Sequence, residues 1–214
     1  MPKVVLSRSP IAMVPRHQPW IPAWPEAKPR RAAASWHDAD PTMAPIETER
    51  LRLRPVEPAD ALFLVRLLNE PSFLRFVGDR GVRTEAEARR AVVDMAPNPA
   101  ARDGLGVYLV SQRYELGEPV GIVSLLKRDY LAHVDLGFAL LGACQGRGYG
   151  FEAGKALLDH AVETLGHTHL LAITSPDNEV SGRLLAKLGF HPDGTVRVPP
   201  SNEKCRRYAF VATR

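Results

Sequence analysis

Apolar residues along the chain follow two periods, one typical of strands and one typical of helices, and the first regular pattern begins near Ile46. From there, Leu51, Leu53 and Pro55 alternate with arginines, as in a half-buried strand. Five more short apolar runs predict strands, at 106–111, 120–126, 134–141, 170–174 and 208–211. The first two of these flank a turn at 115–117, and we therefore expect them to pair as a hairpin.

Helical spacing of apolar residues predicts four helices, at 60–69, 84–93, 151–165 and 178–188. Thr84 and Glu87 form the pattern of a capping box, which marks the start of the second helix. Asn178 suits the N-cap of the fourth helix, and Gly189 suits its C-terminal cap. Consecutive strands in the middle of the chain and a strand–helix–strand order at its end predict an α/β (α+β) domain. Its mixed, mostly antiparallel sheet should carry helices on both faces.

Residues 1–45 differ in composition from the rest of the chain, because proline recurs throughout them. Proline lacks a backbone donor and disfavours helix in the residue before it, so no regular element is expected. We predict a disordered extension, followed by one folded domain over 46–214. All three tryptophans, Trp20, Trp24 and Trp36, lie in this extension. It is either a tail without function or a segment whose aromatic side chains dock onto a partner or onto the domain.

Charge and cysteine usage narrow the class of protein. The net charge is +4, of which residues 1–42 carry +3, so the folded part has little basic excess and no nucleic-acid partner is expected. No run approaches the roughly 20 apolar residues that cross a bilayer, and no apolar block marks a signal peptide. Cys144 and Cys205 imply no disulfide framework. These features predict a cytoplasmic protein.

The most informative segment runs from Gln145 to Gly150, between a predicted strand and a predicted helix. Glycine occupies every second position, at Gly146, Gly148 and Gly150. A backbone without side chains can come close to a bulky ligand, and N–H groups at the start of a helix attract anions. The segment therefore predicts a phosphate or pyrophosphate site. The glycine spacing fails both the dinucleotide fingerprint and the P-loop.

The same segment resembles the coenzyme A loop of the GNAT acetyltransferase superfamily, in which Gln145, Gly148 and Gly150 match the pattern Q/R-x-x-G-x-G/A. Asn178 and Ser181, followed by a helix that ends in a K-x-G-F pattern at 187–190, resemble the last helix of that family. Segments 47–55 and 134–138 are similar to two strands of its RimJ/RimL branch, which acetylates protein N-termini. The resemblance covers residues 46–212.

The chain departs from the family pattern at two positions. Gln145 stands where the RimJ/RimL branch usually has tryptophan. Leu185 stands where many GNAT enzymes carry a tyrosine that acts as general acid, and Ser181 then becomes a candidate for that role.

The resemblance implies that acetyl-coenzyme A is the cosubstrate and that no metal is needed. It implies a strand at 134–141 that splays from its neighbour, with a backbone amide between Phe138 and Leu140 that binds the pantetheine arm or polarises the thioester. The implied coenzyme A contacts are Phe138, Ala139, Leu140, Gln145, Gly146, Arg147, Gly148, Tyr149, Gly150 and Asn178.

Two residues are predicted to act in catalysis. Asp135 lies on the strand face opposite Val134 and Leu136, and a carboxylate there could help to remove the proton of an acceptor ammonium. Its structural alternative is a salt bridge to a nearby arginine. Ser181, one helical turn after Asn178, could return a proton to the departing thiolate. Its structural alternative is a small residue packed against the pantetheine arm.

The predicted function is transfer of an acetyl group to a primary amine, with a protein N-terminal amine as the first candidate. A small-molecule amine acetyltransferase and a non-catalytic acyl-coenzyme A-binding module stay open as alternatives. A monomer or a homodimer and no membrane partner are expected.

Overall fold

The computed structural model describes residues 42–97, 103–114 and 117–213. The predicted extension lies outside the described residues apart from its last four positions, and so do all three tryptophans and the first two residues of the predicted 115–117 turn. Met43 is buried, and the Thr42 carbonyl lies 3.2 Å from His160 Nε2. Contact with the domain therefore extends back to Thr42.

Eight strands form one sheet in the described residues, in the order β1-β2-β3-β4-β5-β6-β8-β7. Every neighbouring pair is antiparallel except β5 with β6, which is parallel. The strands are β1 (Ile46–Glu47), β2 (Leu51–Pro55), β3 (Gly106–Gln112), β4 (Pro119–Leu126), β5 (Val134–Leu140), β6 (His169–Thr174), β7 (His191–Val198) and β8 (Glu203–Val211). The mixed, mostly antiparallel sheet that the sequence predicts is confirmed.

The described parts of the chain contain five α-helices, which cover the two faces of this sheet. They are α1 (Ala61–Leu68), α2 (Pro71–Phe76), α3 (Glu85–Met95), α4 (Tyr149–Asp159) and α5 (Glu179–Lys187). One apolar cluster packs α1, α2 and α3 against one face, and a second packs α4 and α5 against the other. Thr84 and Glu87 form the predicted capping box of α3, and Gly189 follows α5 with a φ of +90°.

Several elements differ from the sequence prediction. No element was predicted between the first two helices, but Pro71–Phe76 form α2, which begins with a proline and is too short to show a helical period. Strand β7 was missed because Pro192 and Gly194 interrupt its pattern and a bulge follows Pro192. Helix α4 begins at Tyr149 rather than 151, and continues beyond Asp159 as a π-helical turn, His160–Thr164.

Candidate active site

The parallel strands β5 and β6 pair over only two residues and then separate. Val134 pairs with Leu170 and Asp135 with Leu171, and no later pair joins them. On its other side β5 stays paired with β4 through Leu140. The half of β5 that follows Asp135 therefore has an open edge, as predicted.

The open edge presents backbone N–H groups from alternate residues. Leu141 N–H donates to Val120 O on β4. Because successive residues of a strand point their N–H groups to opposite sides, those of Leu140 and Phe138 point away from β4. Ala139 instead directs its backbone towards β4, so only its side chain can contact a ligand at the open edge. Two of the three residues predicted to supply an amide are thus oriented to do so.

The glycine loop after β5 leaves a row of donors without protein partners. Gly146 and Gly148 have φ values of +72° and +84°, in the left-handed region that favours glycine. Gly148 is the N-cap of α4. Within the described residues, none of the N–H groups from Gly146 to Gly150 donates to a protein acceptor. Five such donors at the positive end of a helix suit an anion.

Gly150 has a packing role. A Cβ atom there would lie 2.9 Å from Leu184 Cδ1 on α5. A larger residue at this position would therefore require the end of the Leu184 side chain to move, so glycine favours the close approach of α4 and α5. The third glycine of the motif is therefore explained by contact between helices, and its backbone N–H still faces the loop.

Arg50, which the sequence analysis did not single out, holds the glycine loop to the sheet. Its guanidinium lies 2.6 Å from Glu152 Oε2 on α4 and donates to the Arg147 carbonyl at 3.1 Å. Glu152 also accepts from Thr48 Oγ1 at 2.6 Å and from the Arg50 N–H at 2.9 Å. Burial works against ionisation of Glu152, but these hydrogen bonds outweigh it and lower its pKa. The carboxylate therefore stays charged beside the loop.

Two predicted ligand residues have side chains engaged in the protein. The Tyr149 ring is buried, and its hydroxyl accepts from Gln112 Nε2 at 2.9 Å. The Gln145 amide donates to Leu140 O at 3.1 Å and to Ser72 Oγ at 3.3 Å. Tyr149 can therefore contact a ligand through its backbone only, whereas Gln145 ties the loop to β5 and α2.

Asn178 and Ser181 meet as the sequence predicts. The Asn178 side chain accepts from the Ser181 N–H at 3.1 Å and caps α5. Both residues face the cleft between α5 and the open edge of β5, where they line its outer and inner parts.

The cleft has an outer groove and an inner pocket. The outer groove, of about 450 Å³, runs from the glycine loop past Phe138 to Ser181, with Arg183 and Lys187 along one rim. The inner pocket, of about 90 Å³, continues from Ser181 to Asp135, Arg128 and Arg80. Since Phe138, Ala139 and Ser181 line both, the two spaces meet beside the open edge.

Asp135 lies on the wall of the inner pocket, 2% exposed. Its Oδ2 accepts from Arg128 Nε at 2.7 Å, which is the predicted structural alternative. Its Oδ1 is buried and has no hydrogen-bond partner among the described residues. A buried carboxylate oxygen without a partner is costly, and an acceptor ammonium or a water bound to it would supply the missing donor.

Metal ligands are not grouped in the described residues. No cluster of three or more histidine, cysteine or acidic side chains there could hold an ion. Cys144 and Cys205 are free thiols, and burial raises the pKa of Cys205 to about 11.

No helix in the described parts of the chain is long and apolar enough to span a membrane.

Residues 50–191 match the family model described as an acetyltransferase (GNAT) domain. The chain belongs to the GNAT acetyltransferase family. It is therefore an acyltransferase, and the enzymes of this fold use acetyl-coenzyme A.

The relatives and solved structures that the chain resembles match most of its length. The uncharacterised N-acetyltransferase YoaA of Bacillus subtilis is 26% identical over 157 residues, covering 71% of this chain and 85% of YoaA. An acetyltransferase from Agrobacterium tumefaciens superposes with a TM-score of 0.67 and 24% identity, covering 86% of this chain and 100% of that one. RimL, a ribosomal L7/L12 α-N-protein acetyltransferase solved with coenzyme A, superposes with a TM-score of 0.65 and 18% identity, covering 78% of this chain and 98% of that one. At these identities the solved structures support the fold.

Proposed function

We propose that this chain transfers an acetyl group from acetyl-coenzyme A to a primary amine, with a protein N-terminal amine as the first candidate. The observation that carries the proposal is the continuity of the cleft, which runs from five backbone donors at the glycine loop to the open edge of β5 and on to Asp135. Family membership supports the cosubstrate. The RimJ/RimL-like strand patterns and the likeness to RimL support a protein N-terminal amine as the acceptor.

Different parts of the cleft would bind different parts of acetyl-coenzyme A. In this proposal the N–H groups from Gly146 to Gly150 bind the pyrophosphate, and the basic rim residues Arg183 and Lys187 lie where further phosphate charge could reach them. The pantetheine arm lies along β5 and bonds to its outward N–H groups. The Phe138 or Leu140 N–H then stabilises the negative charge that develops on the thioester oxygen.

The reaction needs two proton transfers. An alkyl ammonium first loses a proton, to Asp135 or to a water bound at its Oδ1. The neutral nitrogen then attacks the thioester carbonyl carbon, so that a C–N bond forms and the C–S bond breaks. The Ser181 hydroxyl is the candidate relay for the second transfer: it gives its proton to the departing thiolate, which leaves as free coenzyme A, and it receives the proton that the nitrogen gives up. Ser181 lies at the junction of the two spaces, where the sulfur would be.

A small-molecule amine is the second candidate acceptor. The inner pocket is narrow and walled by Phe73 and Phe76 of α2, which favours a short acceptor or the very end of a peptide. In either case the domain over 46–214 should be sufficient for the reaction.

The test is a screen of the full chain with acetyl-coenzyme A against N-terminal peptides and small amines. Release of free thiol, together with a product heavier by one acetyl group in mass spectrometry, is the expected result. Thiol release that stays at the level seen without acceptor, for every amine, would refute acetyl transfer.

A further inference from the structure

Ser124 on β4 has a hydroxyl in the inner pocket that the fold itself does not use. The residue is 8% exposed and lines the pocket, and within the described residues its Oγ takes part in no hydrogen bond. A hydroxyl that is buried without a partner costs free energy, because it has lost its hydrogen bonds to water. The Ser124 hydroxyl is therefore available to a polar ligand in the pocket.

Gly137 on β5 leaves space beside this hydroxyl. Ser124 and Gly137 pair across the two strands, and a Cβ atom on Gly137 would lie 2.7 Å from Ser124 Oγ. In the described parts of the chain, that hydroxyl is the only atom beyond the chain neighbours of Gly137 that would lie within 4 Å of such a Cβ. Since Gly137 also lines the inner pocket, its missing side chain leaves a small hollow there, with the hydroxyl on one side.

The hollow lies on the same face of the sheet as Asp135. Residues two apart on a strand share a face, so Asp135 is the neighbour of Gly137 along β5. On β4 the partner of Asp135 is Leu126, and Ser124 therefore stands diagonally across from Asp135. Diagonal neighbours lie about 7–8 Å apart, within reach of one bridging group. Asp135 Oδ1 has no partner either, so a nitrogen between the two oxygens could donate to both.

We propose that Ser124, Gly137 and Asp135 form the subsite for the acceptor nitrogen, which enters the hollow and donates one N–H to Asp135 Oδ1 and another to Ser124 Oγ. This inference rests on the proposed acetyl transfer and adds Ser124 and Gly137 to its site. An ammonium has three N–H groups, so it can satisfy both oxygens. After Asp135 has taken one proton, the bond to Ser124 holds the nitrogen while its lone pair turns towards the thioester carbon.

The experiment measures kcat and KM for trialanine and isoamylamine at saturating acetyl-coenzyme A. Ser124→Ala should lower kcat/KM by about 10–100-fold, the range for a hydrogen bond to a charged group. The loss should appear mainly in KM, because the bond already forms in the bound ammonium, and the affinity for coenzyme A should not change. Ser124→Thr keeps the hydroxyl and should recover part of the loss. The control is Ser111→Ala on β3, which removes a hydroxyl outside the cleft and should leave both constants unchanged.

Gly137→Ala fills the hollow directly. It should raise KM for both amines at least tenfold, and it should also lose some stability because the methyl group crowds Ser124 Oγ. In the double variant Ser124→Ala/Gly137→Ala that contact is absent. Its melting temperature should therefore rise again towards the wild-type value, while KM stays as high as in Gly137→Ala. This pair of variants separates the loss of the subsite from a loss of folding.

Three results would overturn the inference. A wild-type KM in Ser124→Ala would show that the hydroxyl does not bind the acceptor, and acetyl transfer would stand. A double variant that recovers wild-type KM together with its melting temperature would show that Ser124 and Gly137 act through stability alone. If the wild type acetylates neither these two amines nor any other amine of the screen, the inference falls together with the proposed function.

Discussion

Arg128 Nε lies 2.7 Å from Asp135 Oδ2, and this ion pair forms a wall of the inner pocket. The pair leaves Asp135 Oδ1 as the oxygen that could meet an acceptor amine. The same carboxylate is therefore held in position by one oxygen and available for chemistry at the other.

Replacing Asp135 with asparagine should lower kcat by about 10²–10³, the range for loss of a general base. Coenzyme A affinity should be unchanged, because the glycine loop is untouched. The measurement is steady-state kinetics with the best acceptor across the pH range.

Asp60→Asn is the matched control for Asp135→Asn. Asp60 is also buried and also paired with an arginine, Arg54, at 2.7 Å, but it does not line the cleft. Asp60→Asn should reduce thermal stability and leave kcat near the wild-type value. If Asp135→Asn behaves in the same way, Asp135 is a structural residue.

The pair of Arg128 and Asp135 shows which features of the site could be predicted from the sequence and which could not. The alternation along β5 placed Asp135 opposite Val134 and Leu136, and the structure confirms this. No local pattern joins Asp135 to Arg128, since their contact depends on how β4 and β5 pair and on the loop between them. The pairing partner therefore stayed an open alternative until the fold was known.

The same limit applies around the glycine loop. Its start at a helix and the Asn178 cap follow from local rules, and both were predicted. Arg50 is about a hundred residues from the loop, and its contact with the Arg147 carbonyl needs β2 beside α4. Short elements such as α2 were missed because six residues cannot display a helical period, although α2 supplies the wall of the inner pocket.

Glu152→Gln should destabilise the domain by about 1.5–3 kcal/mol at pH 7, the range for hydrogen bonds to a charged group. The native pKa of Glu152 lies below its unfolded value. Its contribution is therefore fully present above the unfolded pKa, near 4.3, and is lost as the pH falls through the native pKa. Thermal unfolding of the variant and the wild type should differ most at neutral pH and converge in acid.

Glu163→Gln serves as the control for Glu152→Gln. Glu163 lies on the π-helical turn that continues α4, and it is exposed. This change should leave the melting temperature almost unaltered at every pH. A constant difference between Glu152→Gln and the wild type from neutral pH into acid would show that the charge of Glu152 does not support the domain.

Deletion of residues 1–41 should leave the melting temperature and coenzyme A affinity nearly unchanged, because a proline-rich segment without hydrophobic period buries little. The three tryptophans give a direct readout, since all lie within this segment. Their emission in the full chain should be that of solvent-exposed indole and readily quenched by acrylamide. Blue-shifted, protected emission together with a lower melting temperature after deletion would show that the segment docks onto the domain.

The most direct test of the account is calorimetric titration of coenzyme A into the wild type, Gly148→Val and Gly194→Val. Gly148 and Gly194 have φ values of +84° and +83°, so valine strains both backbones by at least about 1–2 kcal/mol, and at Gly148 its Cβ would also lie 3.2 Å from Arg50 Nη2. Gly194 lies on β7 and outside the cleft. The account predicts that the wild type and Gly194→Val bind coenzyme A with similar affinity and that Gly148→Val does not bind it, because the side chain would occupy the space of the pyrophosphate. Folded Gly148→Val that binds coenzyme A as tightly as Gly194→Val would contradict the assignment of the glycine loop.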